Sequence, residues 1–186
     1  MNPPLSGHRQ PQAGPEHEPD ARSDSPQKAE SSSDATAERR EWLSLLARAS
    51  RAELDTALQH VFDGTSRPAF DWLRVPETGL AMVRGRMGGT GDPFNTGEAT
   101  VTRATLRLKT GTVSRPVGVA YQLGRDKRRA ELAALCDALL QTAEHAPAIR
   151  AHVLGPVSRR LIAQREARRA EVAATRVEFF TMVRGE

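Results

Sequence analysis

The stretch that decides the fold is GLAMVRGRMGGTGDPFNTGEATVTRATLRLKTGTVSRPVGVAYQL, Gly79 to Leu123. Three of its segments, Gly79–Arg86, Glu98–Leu108 and Pro116–Leu123, read as strands separated by glycine-containing turns. The last is the clearest, with Val117, Val119, Tyr121 and Leu123 alternating onto one face. The middle segment changes phase, because Ala99 and Val101 share one parity and Ala104, Leu106 and Leu108 take the other. A bulge near Thr102–Arg103 would reconcile the two halves. Lys109–Thr110–Gly111–Thr112 suits a hairpin turn, so residues 69–123 are expected to form a small antiparallel sheet.

Working outward, the N-terminal side is helical. Trp42, Leu43, Leu45 and Leu46 mark one side of a short helix. Ser50 stands three residues before Glu53, the spacing of a capping box, and Leu54, Ala57, Leu58 and Val61 follow at helical intervals up to Gly64. This predicts a helical hairpin over 38–63. Residues 1–36 are Pro, Ser, Gln, Asp and Glu with almost no large apolar side chain, a composition that predicts a disordered tail and an ordered chain from about Ala37.

Beyond the sheet, Gly124 introduces a helix from about Asp126 to Ala143, with Leu132, Leu135, Cys136 and Leu139 on its buried stripe. Pro147 and Pro156 each suit a first helical turn, the second opening a long Arg-rich helix to about Arg176. Helices thus fill 125–186, and the chain reads as α+β: a small antiparallel sheet between a helical hairpin and C-terminal helices.

The chain has 186 residues and a formal charge of +4. The first 36 residues carry three basic and six acidic side chains, leaving about +7 on the remainder. That surplus favours anionic partners. A single cysteine, Cys136, excludes an internal disulfide and fits a reducing compartment. With no apolar run of membrane-spanning length and no secretory core, a cytoplasmic protein away from membranes is expected.

Several catalytic classes drop out. His60, His145 and His152 lack metal-ligand spacing, and one Cys does not make a structural zinc site. No GxSxG elbow is present. Glu77 and Glu98 flank the glycine run and have acid–base potential, although exposed hairpin carboxylates are commoner. Cys136 sits on the apolar helix face, which fits an inert core thiol better than a nucleophile.

Two features could bind an anion. In the run Gly85–Gly97, Gly88, Gly89, Thr90, Gly91 and Asn95 could turn backbone N–H groups toward a ligand. No Lys–Ser or Lys–Thr follows and the next element is a strand, so this is no Walker loop. A hairpin loop is the plain reading, yet ten residues exceed what a turn needs. The second feature is Arg125, Lys127, Arg128 and Arg129, crowded at a helix N-terminus where cations oppose the dipole. Asp126 is a candidate N-cap, and Lys127 can pair with Glu131. A solvated basic surface and a phosphate or carboxylate site both fit the cluster. Arg84 and Arg86 at a strand end, Glu98, and Arg103 at the bulge complete the candidate set, reaching the same region if the sheet packs as expected. Nucleic acid is disfavoured, because the basic regions lack interleaved aromatics.

Three separated motifs resemble one known family. They are Pro76–Glu77–Thr78–Gly79–Leu80–Ala81–Met82–Val83–Arg84–Gly85–Arg86 with its continuation to Arg103, Gly124–Arg125–Asp126–Lys127–Arg128 with Ala130–Leu135, and the ending Ala174–Gly185. Together they resemble the PhnG family over about residues 38–186. The resemblance implies an accessory or non-catalytic subunit of the bacterial carbon–phosphorus lyase core complex, assembled with PhnH, PhnI and PhnJ. It further implies support, with PhnL, for a step in which methylphosphonate displaces adenine from ATP to give α-D-ribose 1-methylphosphonate 5-triphosphate. ATP would be a substrate of the complex, and no cofactor or metal would be held by this chain. One Cys cannot hold the iron–sulfur cluster of the later radical step. No catalytic residue is carried over. The competing reading is a stand-alone nucleotide-binding protein using the glycine run and the basic helix start. The apolar strip Val177, Phe179, Phe180, Met182 and Val183 is expected to meet another subunit.

Overall fold

The computed structural model describes residues 26–110 and 115–175, with side chains from residue 34 onward. The first 25 residues, the end of the predicted 109–112 turn and the apolar strip after Thr175 therefore lie outside the described residues. The rest is α+β, as the sequence implies.

The chain divides between Ala35 and Thr36. Helix α1 spans Pro26–Leu46, so helical backbone begins ahead of the start expected near Ala37. Low hydrophobicity is not low helix propensity. Proline in the first turn and the following Gln, Lys, Ala and Glu favour a helix without any apolar face. In the second unit, Trp42 and Leu46 are buried and Leu43 and Leu45 pack beside them.

Helix α2 spans Arg51–Val61, and its capping box forms as predicted. Ser50 Oγ accepts from Glu53 N–H at 3.2 Å, while Ser50 N–H donates to Glu53 Oε2 at 2.7 Å.

Strands β1 (Phe70–Arg86), β2 (Pro93–Leu108) and β3 (Val117–Leu123) form one antiparallel sheet in the order β1-β2-β3. β1 and β2 are longer than expected and pair almost to the hairpin tip, where Arg86 faces Pro93. The ten-residue loop therefore shrinks to residues 87–92. β3 pairs with β2 only from Val101 to Arg107, leaving the distal β1–β2 ribbon two strands wide.

The phase change in β2 is resolved differently from the expectation. β2 runs in unbroken register with β3, and Thr102, Ala104, Leu106 and Leu108 are all buried on one parity. The irregularities beside Arg103 lie in the neighbouring strand, between Trp72 and Arg74 and between Arg74 and Glu77 of β1. A third shift, between Val83 and Arg84, places the extra residue in β2 at Thr96.

Helix α3 (Lys127–Leu140) lies on the sheet with ten buried residues, including Ala133, Ala134 and Ala138 as well as the predicted Leu132, Leu135, Cys136 and Leu139. A helix buried on nearly every side is a central element. Its approach selects the small parity of β3. Gly118, Ala120 and Gln122 face inward, whereas the stripe Val117, Val119, Tyr121 and Leu123 faces away from α3. A Cβ on Gly118 would lie 1.9 Å from the Ala134 carbonyl oxygen, so the helix packs where side chains are smallest.

Helix α4 (Ala146–Ile149), a π-turn (Arg150–Leu154) and helix α5 (Gly155–Ala174) follow one another without a non-helical break. Pro156 removes a backbone donor inside this path, and the wider π-turn before it accommodates the loss. Ile149, Val153 and Val157 join the core.

Candidate functional site

The glycine tip is built on its own hydrogen bonds. Met87–Gly89 makes a 3₁₀ turn, with Gly88 at φ 61° and Gly89 at φ 81°. The N–H groups of Thr90 and Gly91 both donate to Met87 O rather than opening toward a ligand. Arg86 Nη1 donates to Gly91 O at 2.9 Å, closing the loop from the side. Asn95 faces Arg84 across the ribbon, and Glu98 faces Met82.

The basic helix start is elsewhere. α3 begins just after Leu123, which pairs with Val101, whereas the tip begins beyond Pro93. At about 3.3 Å per residue, that eight-residue offset along β2 places the two candidate regions roughly 25 Å apart. Arg103 stays near the root of the ribbon, between Glu77 on β1 and Tyr121 on β3. The twelve candidate residues thus occupy two separate places, and the sheet does not bring Arg84 and Arg86 to the basic helix start.

At that start the cations have different tasks. Asp126 is the N-cap, its Oδ1 accepting from Arg129 N–H at 3.0 Å. Arg129 donates from Nε to Ala49 O at 2.7 Å and from Nη2 to Ala47 O at 2.9 Å. These carbonyls follow the C-terminal end of α1, where a helix presents negative partial charge. Gln122 Nε2 reaches Leu46 O at 3.0 Å and Arg160 Nη2 reaches Arg48 O at 3.0 Å, so residues 46–49 each have a side-chain donor. Arg128, and not Lys127, pairs with Glu131, at 2.6 Å, and it also meets Asp55 at 3.6 Å. Arg125 and Lys127 remain exposed, with no ion pair among the described residues.

Two further polar groupings escaped the sequence reading. The Asp137 carboxylate is fully buried and accepts from Arg39, Trp42 Nε1 and Val119 N–H, joining α1, β3 and α3. An acidic residue within the otherwise apolar run Leu132–Leu140 was the available signal. On the ribbon, Glu77 Oε1 takes Arg74 Nη1 at 2.6 Å and Arg103 Nε at 2.7 Å. Those hydrogen bonds hold the Glu77 carboxyl below its ordinary range. Burial pushes the Cys136 thiol up to about 12, consistent with an inert core position.

Among the described residues His145 Nε2 lies 3.8 Å from Glu144 Oε2. His60 and His152 stack 6.3 Å apart and His145 packs edge-on to Phe62. Among the described residues no three His, Cys, Asp or Glu side chains gather as metal ligands, and no helix is long and apolar enough to cross a membrane.

Chemically, the surface offers cations and apolar side chains rather than a converged acid–base set. Leu80, Met82, Met87 and Phe94 are exposed on the distal ribbon. Tyr121 and Leu123 are 63% and 70% exposed at the root.

A family model described as phosphonate metabolism protein PhnG matches residues 37–185. The chain is also similar to the alpha-D-ribose 1-methylphosphonate 5-triphosphate synthase subunit PhnG of Rhizobium meliloti (strain 1021). The two are 52% identical over 159 residues, which is 85% of this chain and 97% of the relative.

Proposed function

Because the chain belongs to the PhnG family, we propose that it is the accessory subunit of an α-D-ribose 1-methylphosphonate 5-triphosphate synthase in phosphonate catabolism. The observation that carries this reading is the match to a named synthase subunit across 97% of that relative. In the assembly, methylphosphonate displaces adenine from ATP, with PhnI, PhnH, PhnJ and PhnL as the other components in the cytoplasm. ATP is bound by the complex as substrate, and this chain contributes no cofactor of its own.

The geometry supports an accessory role. Arg128 and Arg129 are engaged within the chain, and the loop amides of Thr90 and Gly91 are spent on Met87. Exposed apolar residues on the ribbon suit a chain that functions inside an assembly.

The test is adenine release from ATP and methylphosphonate by the reconstituted complex, with and without this chain. Omission is expected to lower the rate at least tenfold, and the chain alone is expected to release none. A full rate without it, or turnover by the chain alone, would reject the accessory role.

A further inference from the structure

The β3 stripe creates a problem that the described residues do not solve. Antiparallel sheets usually cover one face and leave polar residues on the other. Here α3 covers the face of Gly118, Ala120 and Gln122. The other face carries Val117, Val119, Tyr121 and Leu123. Val101, which pairs with Leu123, and Gly79, Ala81 and Ala99, which continue the ladder, extend it as a low, flat floor. The result is an apolar strip on the side of the sheet away from α3.

We infer that this face is the docking surface for a different subunit of the same assembly, one presenting an apolar strip edged with carboxylates. The inference rests on membership of the synthase and adds the surface and its chemistry. Charge selects the occupant. Arg107 lies on this face opposite Val117, and Arg125 and Lys127 follow the end of β3, all three exposed and without an ion pair among the described residues. The carboxylates opposite Arg103 and Arg107 are already held, Glu77 by Arg74 and Arg103 and Asp71 by Lys109. A second copy placed by two-fold symmetry would set this cationic border against itself, whereas an acidic partner neutralises it.

A neighbouring feature agrees. A slot of about 110 Å³ beside β3 is lined by Leu43, Leu46, Ala47, Val119, Gln122 and Ala133 among others. Gln122 is 1% exposed, and among the described residues its Oε1 has no hydrogen-bond partner. Buried acceptors are rarely left without a donor. Val119 and Tyr121 line this slot as well as the apolar face, so the two adjoin along β3.

The experiment co-expresses the tagged full-length chain with the other synthase subunits and measures their recovery on the tag. Tyr121→Asp with Leu123→Asp is expected to lower recovery at least tenfold, with the circular dichroism spectrum unchanged. Arg125→Glu is expected to lower it several-fold, and Val172→Asp, on exposed α5, to leave it unchanged. Wild-type recovery by the double variant overturns the inference, as does equal loss with Val172→Asp. A wild-type chain that dimerises through Tyr121 and Leu123, with assembly unaffected by their replacement, overturns it in favour of self-association. If the double variant unfolds, Tyr121→Ala with Leu123→Ala decides by the same criterion. Failure of the wild-type chain to capture any subunit rejects membership itself, a result distinct from loss of this surface alone.

Discussion

Arg39 and Asp137, 98 residues apart in sequence, hold α1 against α3 and β3 through two hydrogen bonds, Nη2 to Oδ2 at 2.8 Å and Nε to Oδ1 at 3.3 Å. Asp137 is fully buried, and Trp42 Nε1 and Val119 N–H donate to its two oxygens at 2.8 Å each. Removing the carboxylate strands three donors at once. Asp137→Ala is expected to cost about 3–5 kcal/mol, read from the urea midpoint by tryptophan fluorescence. A loss below about 1 kcal/mol would mean that water or a shifted Arg39 satisfies the same groups.

Gly118 sets how closely α3 lies on the sheet. A Cβ there would meet Ala134 O at 1.9 Å and Ala138 N at 2.8 Å, both helix backbone that cannot swing aside. Gly118→Ala is expected to destabilise by about 2 kcal/mol or more. Gly79→Ala, with nothing within 4 Å of the added atom, should stay within about 0.5 kcal/mol when the urea midpoints of both variants are compared with wild type.

The same glycine explains what the sequence could and could not disclose. Alternation at Val117–Leu123 identifies a strand, but alternation alone does not say which parity is inside. Bulk suggests Val, Tyr and Leu, whereas close helix approach requires Gly118 and Ala120. The capping box was legible because its partners lie three residues apart. The α+β order and the three strands were legible from local pattern in the same way. The role of Arg129 was not, since its acceptors Ala47 and Ala49 lie about eighty residues earlier. The cation cluster looked unpartnered because part of its negative counterpart is the end of α1. The separation of the glycine tip from the basic helix start depends on β2 register, which composition does not encode.

Glu53 gives a pH signature. Burial raises its carboxyl, but hydrogen bonds from Arg160 and Ser50 outweigh that and hold it below the ordinary 4.5. A carboxylate with a lowered folded-state pKa contributes stability above its unfolded value and loses it as pH falls through the folded value. The urea midpoint is therefore expected to fall below about pH 4.5, and Arg160→Ala should make that fall shallower. An identical acid limb in both proteins would show that the Glu53–Arg160 contact, 2.6 Å at Nε, does not persist in solution.

Cys136 should behave as a protected thiol. Its pKa, pushed up to about 12 by burial, leaves almost no thiolate at pH 8. Reaction with a disulfide reagent is expected to be more than a hundredfold slower in the native protein than in guanidinium. Comparable rates would indicate that α3 opens readily on the timescale of the assay.

The cations around Asp126 should separate by function when they are removed one at a time. Arg129 donates to Ala49 O at 2.7 Å and Ala47 O at 2.9 Å, so its loss leaves two partly buried carbonyls to find other donors. Arg129→Ala is expected to cost about 1–3 kcal/mol. Arg129→Lys should fall between, because a single ammonium reproduces the charge but not the two-pronged geometry. Arg125 has no ion pair among the described residues, so Arg125→Ala should change stability by less than about 0.5 kcal/mol, its effect emerging only when other subunits are present. Denaturation of the three variants with and without the partner subunits measures both quantities. Equal intrinsic costs for Arg125 and Arg129 would contradict the division, because one arginine would then not be structural and the other free to meet a partner.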